Sequence, residues 1–416
     1  MFGGPKQEKV LSPQQFLRTL GKVSAILLLF LLCLVVPYTC FWLYMSGDLA
    51  VERACAEQSS DFAIFGSGVS QDFVDYKLQL YEKVRPTIVT IGSSRVMQFR
   101  NFGFEKSFLN MGGVAGNLAV LRSTLEAMLA VHKPEVVLLG LDFWWFMPEW
   151  HKNPFLPEPV TKGSYQVGLE ALKKPWYWLL SGKISCAEFF WPVTSLFGSG
   201  FRAHRYGIMA QQTDDGFGSD GSWYYSAELT GQKKPFDYQF QNTLRQVEYG
   251  IKAFYQVEKG RLISEAHLDA FAEIYCRLRS RGIHTFVFLP PLSQRVLEAM
   301  KVRFEHYPHL FLLANALKDR GIQVLDATDP RRLGSSDCEF IDGFHGGEVT
   351  YLRLLRQMSD QWPGLLVYLN MDKIQARIRA NAEQAMVRDP RVTALWETDF
   401  MAFGCKKKQP DEAGLQ

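Results

Sequence analysis

The stretch Val23 to Met45, VSAILLLFLLCLVVPYTCFWLYM, constrains this chain more than any other, because it carries no charge. About 20 such residues cross the roughly 30 Å hydrocarbon layer of a bilayer as a helix. Lys6, Lys9, Arg18 and Lys22 precede it, whereas Asp48, Glu52, Glu57 and Asp61 outweigh Arg53 beyond it. Cations collect on the cytoplasmic flank of a span. The expected layout is therefore a cytoplasmic segment at 1–22, one transmembrane helix at 23–45, and everything after Gly47 outside. A cleaved leader has a shorter apolar core followed by a small-residue site. Here the run is long and no such site directly follows, so an uncleaved anchor is expected.

Beyond a polar connector at 46–86, strand-like and helix-like segments alternate. TIVTIG, KSFLNMG, EVVLLGLDFWWF, IHTFVFLPPL and IQVLDAT read as strands. They are apolar almost throughout, as expected of strands covered by helices on both faces of a parallel sheet. Leu118–Val131, Ser264–Arg281, FLLANALKDR and GGEVTYLRLLRQM read as helices, and Gly282 and Gly321 follow two of them at the usual C-cap position. The fold class is α/β, built from 87–150 and 262–370. Between them, 151–261 breaks the rhythm with aromatics, prolines and glycines, and reads as an insertion: a packed cap or a substrate platform. A C-terminal helix and tail fill 371–416, where the basic CKKKQ is expected to be solvated.

Composition excludes some partners. With 46 Lys+Arg against 43 Asp+Glu, the chain lacks the basic face of a nucleic-acid binder. Aromatics at 14% suit a membrane boundary or a sugar-stacking surface. Of the seven cysteines, Cys33 and Cys40 fall in the span, and Cys55, Cys186, Cys276, Cys338 and Cys405 follow it. With no C-x-x-C pair and no Cys/His cluster, neither a metal site nor a redox motif is expected, and no cofactor either. An export compartment permits a disulfide but does not name its partners.

Ser94, in TIVTIGSSRVMQFR, stands where a strand turns into a helix-like segment. Such a corner aims backbone N–H groups at the hydroxyl and lifts it above the sheet. The same corner also serves as an N-cap or an anion cradle. A second block, FIDGFHGGEVTYLRLL, holds Asp342 and His345 three positions apart before a helix. An acid there can orient one imidazole nitrogen while the other faces a hydroxyl. His284, His306 and His309 lack such a setting and read as structural. Gly113, in LNMGGVAGN, is the natural backbone donor to an oxyanion, or an ordinary turn. Arg95 is placed either to hold an anionic or hydroxyl-rich substrate or to form an ion pair.

Gly92-Ser93-Ser94 and Asp342-Gly343-Phe344-His345 resemble the first and last blocks of the SGNH/GDSL hydrolase superfamily, across 87–147 and 283–358. The resemblance implies a flavodoxin-like three-layer parallel sheet, a nucleophile at Ser94, a general base at His345, an orienting acid at Asp342, and oxyanion donors at Ser94 and Gly113. The anchor and the GSSR sequence are similar to the extracytoplasmic acyl-transfer branch, which includes teichoic-acid D-alanyl transfer and alginate O-acetylation proteins. One block departs: where that family has a donor Asn after a strand, this chain has Asp142, and an ionised carboxylate cannot donate. Either the third oxyanion donor comes from elsewhere, or Asp142 is structural, or it contacts substrate hydroxyls.

Two functions follow as expectations. One is a bacterial membrane-anchored, extracytoplasmic acyltransferase or esterase, working through acyl-Ser94 on hydroxyls of a cell-surface polysaccharide, with a membrane-bound acyl donor as partner. Trp144, Trp145, Trp150, Trp176, Trp178, Trp191 and Trp223 would then stack on sugars, sit in the headgroup layer, or fill the core. The other is a non-catalytic single-pass subunit that holds a glycan or a membrane partner. A phosphate-binding turn at 92–95 lacks the Lys or fuller glycine loop it needs.

Overall fold

A computed structural model describes residues 12–69, 73–150, 153–156, 158, 168–249, 255–258 and 262–407. Lys6, Lys9 and parts of 151–261 lie outside these residues. The chain divides into two compact units.

The smaller unit is built on helix α1 (Pro13–Met45), which is long and apolar enough to cross a membrane. It begins earlier than its uncharged core because Ser12 caps it: the Ser12 hydroxyl accepts from the Gln15 amide at 3.3 Å, and the Gln15 side chain accepts in return from the Ser12 amide at 3.1 Å. The helix widens to a π turn over Leu31–Val35. Pro37 follows, whose missing N–H and ring are incompatible with ordinary bonding to the turn before it. Described residues 168–201 pack on the far end of this helix. Trp176 Nε1 donates to Thr39 Oγ1 at 2.7 Å, the Tyr38 hydroxyl donates to the Phe189 carbonyl at 2.6 Å, and the Trp42 ring meets Trp178 at 5.8 Å. The stretch 151–261 is therefore not one cap. Its described residues 168–201 belong with the apolar helix, whereas 153–156, 158 and the described residues from Arg202 belong with the larger unit.

The larger unit contains two sheets among its described residues. Five parallel strands, β2 (Ile88–Gly92), β3 (Phe108–Gly112), β4 (Val136–Gly140), β8 (His284–Leu289) and β9 (Val324–Asp326), lie in the order β3-β2-β4-β8-β9. The second sheet, ordered β5-β1-β6-β7, is made of two-residue strands: β1 (Ile64–Phe65), β5 (Arg205–Tyr206), β6 (Gly216–Phe217) and β7 (Trp223–Tyr224). The connector supplies β1, and also α2 (Val51–Gln58) and α3 (Val74–Val84), whose Ala54, Cys55, Leu80 and Tyr81 are core residues.

Residue alternation sorts the uniformly apolar strands onto two faces. Val89, Ile91, Val137 and Leu139 join a cluster that includes α3, α4 (Leu118–Val131), α6 (Glu265–Ser280) and α7 (Pro308–Asp319). Ile88, Val136 and Leu138 join another with α8 (Glu348–Gln361) and α9 (Met371–Ala380). This is a mixed α/β architecture with helices on both faces of a parallel sheet. Helix α5 (Lys174–Leu180) lies in the smaller unit.

Two expectations are corrected. EVVLLGLDFWWF is not one strand: β4 stops at Gly140, and Phe143–Phe146 form a fully buried 3-10 turn. Burial on every side makes a turn as apolar as a strand, so periodicity cannot separate them. Within CKKKQ, Lys406 is exposed as expected, but Cys405 and Lys407 are not free. Cys405 is bonded to Cys338, and the Lys407 ammonium, its side chain only 7% exposed, donates to Glu397 at 2.6 Å.

Candidate active site

The site forms where β2, β3, β4 and β8 end together. In register, Gly92 pairs with Gly112, Ile91 with Leu139, and Gly140 with Phe288. Val96 sits directly over this rim. A Cβ on Gly140 would lie 2.4 Å from a Val96 methyl, one on Gly92 would meet the Gly140 carbonyl at 2.8 Å, and one on Gly112 would meet Val96 at 3.0 Å. Three strand-end glycines thus make room for the 3-10 turn Ser94–Val96 to lie on the sheet edge. Ser94 is thereby fixed at the carboxyl end of a central strand, where open α/β sheets present their ligand crevice.

Asp342 and His345 come from the loop between β9 and α8. Ser94 Oγ and His345 Nε2 are 2.9 Å apart, and His345 Nδ1 lies 2.7 and 2.9 Å from the two oxygens of Asp342. Asp342 Oδ1 also accepts from the amides of Phe344 at 2.7 Å and His345 at 2.8 Å. Burial would raise the Asp342 carboxyl, but the His345 charge and these bonds outweigh it and hold it below its ordinary range. Burial would lower His345, but the Asp342 carboxylate outweighs it and raises the imidazole. The expected serine, histidine and aspartate are brought together as a hydrogen-bonded chain in the order a serine nucleophile requires.

The loop is clamped by a residue that motif reasoning missed. Asp237, from the part of the insertion belonging to this unit, accepts from the Gly343 amide at 3.0 Å, the Thr243 amide at 3.0 Å and the Thr243 hydroxyl at 2.6 Å. Gly343 must be glycine: a Cβ there would lie 2.7 Å from Val296 and 2.8 Å from Thr243. The sequence signal was faint, an acidic residue beside a short polar turn far from either block.

Arg95 does not face a substrate. It is 2% exposed and donates to Asp142 Oδ1 at 3.1 Å, to the Phe344 carbonyl at 3.3 Å, and to the carbonyls of Pro290 and Pro291 at 2.8 and 3.0 Å. Its guanidinium lies 5.7 Å from the Trp144 ring and 5.5 Å from Phe344. One side chain therefore joins the Ser94 turn, the ends of β4 and β8, and the loop that carries Asp342 and His345. Tyr351 of α8 adds a hydrogen bond from its hydroxyl to the Arg95 carbonyl.

Asp142 is the partner of that arginine and is itself 1% exposed. Burial raises its carboxyl, with the Arg95 charge opposing. It is an internal ion-pair member rather than a group that reaches substrate hydroxyls. Gly113 also departs from its expected role. Its φ of +89° and the Met97 methyl, 2.2 Å from where a Cβ would stand, both require glycine, but its amide donates to the Gly92 carbonyl at 3.1 Å. The Ser94 amide, by contrast, bonds to no other described residue.

Of the tryptophans singled out, Trp144, Trp145, Trp178 and Trp223 are buried in the core. Trp150 is 39% exposed, hydrogen-bonded to the Gly116 carbonyl at 3.0 Å just beyond β3. Trp144 stacks on Tyr255 at 4.0 Å, and Phe344 lies 6.0 Å from Trp144, so an aromatic wall backs the base loop. In comparisons with family models, curated proteins and solved structures, the chain matches none of them.

Proposed function

We propose that the chain is a membrane-anchored serine-dependent O-acyltransferase or esterase of the SGNH type. The observation that carries this reading is the Ser94–His345–Asp342 chain, with separations of 2.9 and 2.7 Å. The strand order β3-β2-β4-β8-β9, which is 2-1-3-4-5 within the sheet, agrees with a flavodoxin-like topology.

The chemistry follows from the geometry. His345 Nε2 takes the Ser94 proton as Oγ attacks an acyl ester carbonyl, and the Asp342 carboxylate stabilises the imidazolium. Collapse of the tetrahedral intermediate expels the donor's oxygen, which receives the proton from His345, leaving an ester on Ser94. An acceptor hydroxyl, or water, then loses its proton to His345 and attacks this ester, and as the second tetrahedral intermediate collapses the departing Ser94 Oγ takes that proton back from His345. The Ser94 amide, which bonds to no other described residue, is the oxyanion donor. The acceptor is a cell-surface polysaccharide and the donor a membrane-bound acyl carrier, on the resemblance in the two blocks and the presence of an apolar anchor. The Cys338–Cys405 disulfide supports an extracytoplasmic location for the larger unit, with the N-terminus in the cytoplasm.

A second reading is favoured by Asp142 and Gly113. With a carboxylate in place of an amide donor and the Gly113 amide already bonded, the larger unit would hold a glycan or a membrane acyltransferase without catalysing transfer. Labelling with a fluorophosphonate separates the two. Labelling of the wild-type chain that disappears in Ser94→Ala supports the enzyme; a folded, unlabelled wild-type chain supports the binding subunit.

A further inference from the structure

Residues 168–201 carry a surface that the catalytic reading does not use. Between Pro175 and Phe201 there are eight aromatic residues and only two charged ones, Lys183 and Glu188. Several of the large apolar side chains point out of the fold: Tyr177 is 66% exposed, Leu180 87%, Phe190 53%, Leu196 66% and Phe197 84%. A water-soluble surface rarely gathers so many in so short a stretch.

The depth of this surface is set by its partner helix. Lys22 is the last charged residue before the apolar run of α1. About 20 residues of helix span the hydrocarbon layer, which brings its far boundary to the level of Trp42. That is where the segment is attached, through Trp176 to Thr39, Phe189 to Tyr38, and Trp178 against Trp42. Trp and Tyr with one bonded polar atom and an apolar ring body are the residues that favour a membrane–water interface. The Lys183 ammonium lies 5.1 Å from the Trp178 ring, a cation against an aromatic face, as suits the same boundary.

We infer that residues 174–197 form a monotopic membrane-surface platform whose exposed Leu180, Phe190 and Phe197 insert into the phospholipid leaflet at the exit of α1. The occupant is lipid because the segment is bonded to the spanning helix at the depth where the leaflet lies, so its outward apolar side chains meet acyl chains before any soluble partner. The platform rests on α1 being a span, but not on the chemistry at Ser94.

Photo-crosslinking tests it. p-Benzoylphenylalanine replaces Leu180, Phe190 or Phe197 in the full chain, reconstituted in phosphatidylethanolamine/phosphatidylglycerol vesicles and also left in native membranes; Val302, 88% exposed in the larger unit, is the control. Irradiation is expected to add the mass of one phospholipid at each of the three positions and none at 302. Inserted chain without lipid adducts at the three, or adducts to a protein in native membranes, would overturn the platform. Release of the chain by alkaline carbonate would overturn the span and the platform together, while leaving serine labelling as a separate test of the enzyme.

Discussion

Arg95 donates to Asp142 across 3.1 Å, both side chains almost fully buried, and so ties the residue following Ser94 to the end of the neighbouring strand. Removing one member of such a pair leaves an uncompensated charge, a cost of about 3–5 kcal/mol. Arg95→Met and Asp142→Leu are each expected to destabilise by that order. The double variant should recover part of the loss, with the coupling read by denaturant unfolding of all four proteins. Additive losses would separate the two residues energetically.

The clamp on the base loop gives a second expectation. Asp237→Ala removes the acceptor of the Gly343 amide and both Thr243 bonds. A buried donor left unsatisfied costs about 1–3 kcal/mol. If that loss loosens His345, ester hydrolysis should fall roughly 5- to 150-fold in kcat at about 1.4 kcal/mol per decade, with KM little changed. A fall in thermal stability without any change in kcat would make Asp237 purely structural.

Titration of the base sets a pH dependence. As the proposed base, His345 would accept the Ser94 proton only when neutral, and its imidazole is raised above the ordinary 6.5 while Asp342 is held low and stays ionised. Activity should therefore rise with pH through a single ionisation above 6.5, measured as kcat/KM against pH. For stability the sign is opposite: the raised group contributes fully below its unfolded pKa, and the contribution is lost as pH rises through the folded value. A rate that is flat between pH 6 and 9 would contradict this assignment.

His309 predicts acid sensitivity of a different origin. It is fully buried, and burial pushes it down to about 4 from 6.5. The unfolded chain then binds the proton first, so stability is intact above pH 6.5 and is lost as pH falls toward 4, by ~3 kcal/mol at most. Unfolding midpoints measured across that window should fall more steeply for the wild type than for His309→Phe.

The Cys338–Cys405 bond closes a loop with a sequence separation of 67. Chain entropy assigns about 4 kcal/mol to a loop of that length. Thermal unfolding with and without reductant is expected to show a loss of that order, and the Cys338→Ser, Cys405→Ser variant should match the reduced protein and ignore reductant.

Local pattern carried the central part of this molecule. The parallel strands, Gly282 and Gly321 just after two helices, and the Asp-x-x-His block were legible because each depends on neighbouring residues. The docking of Trp176 on Thr39, the pairing of Cys405 with Cys338 and the reach of Asp237 to Gly343 were not, since each joins positions with no shared periodicity. Two-residue strands such as β6 and β7 are too short to show any alternation. The commitment of the Gly113 amide to Gly92 leaves no mark in the sequence, because a glycine turn reads alike whether its N–H is free or bonded.

The most direct test of the account is mass spectrometry of the chain after brief reaction with a simple acyl ester such as p-nitrophenyl acetate. The account predicts one added acetyl group on Ser94, absent in Ser94→Ala and in His345→Ala. Acyl mass on another residue, or on Ser94 at an undiminished rate without His345, would contradict it.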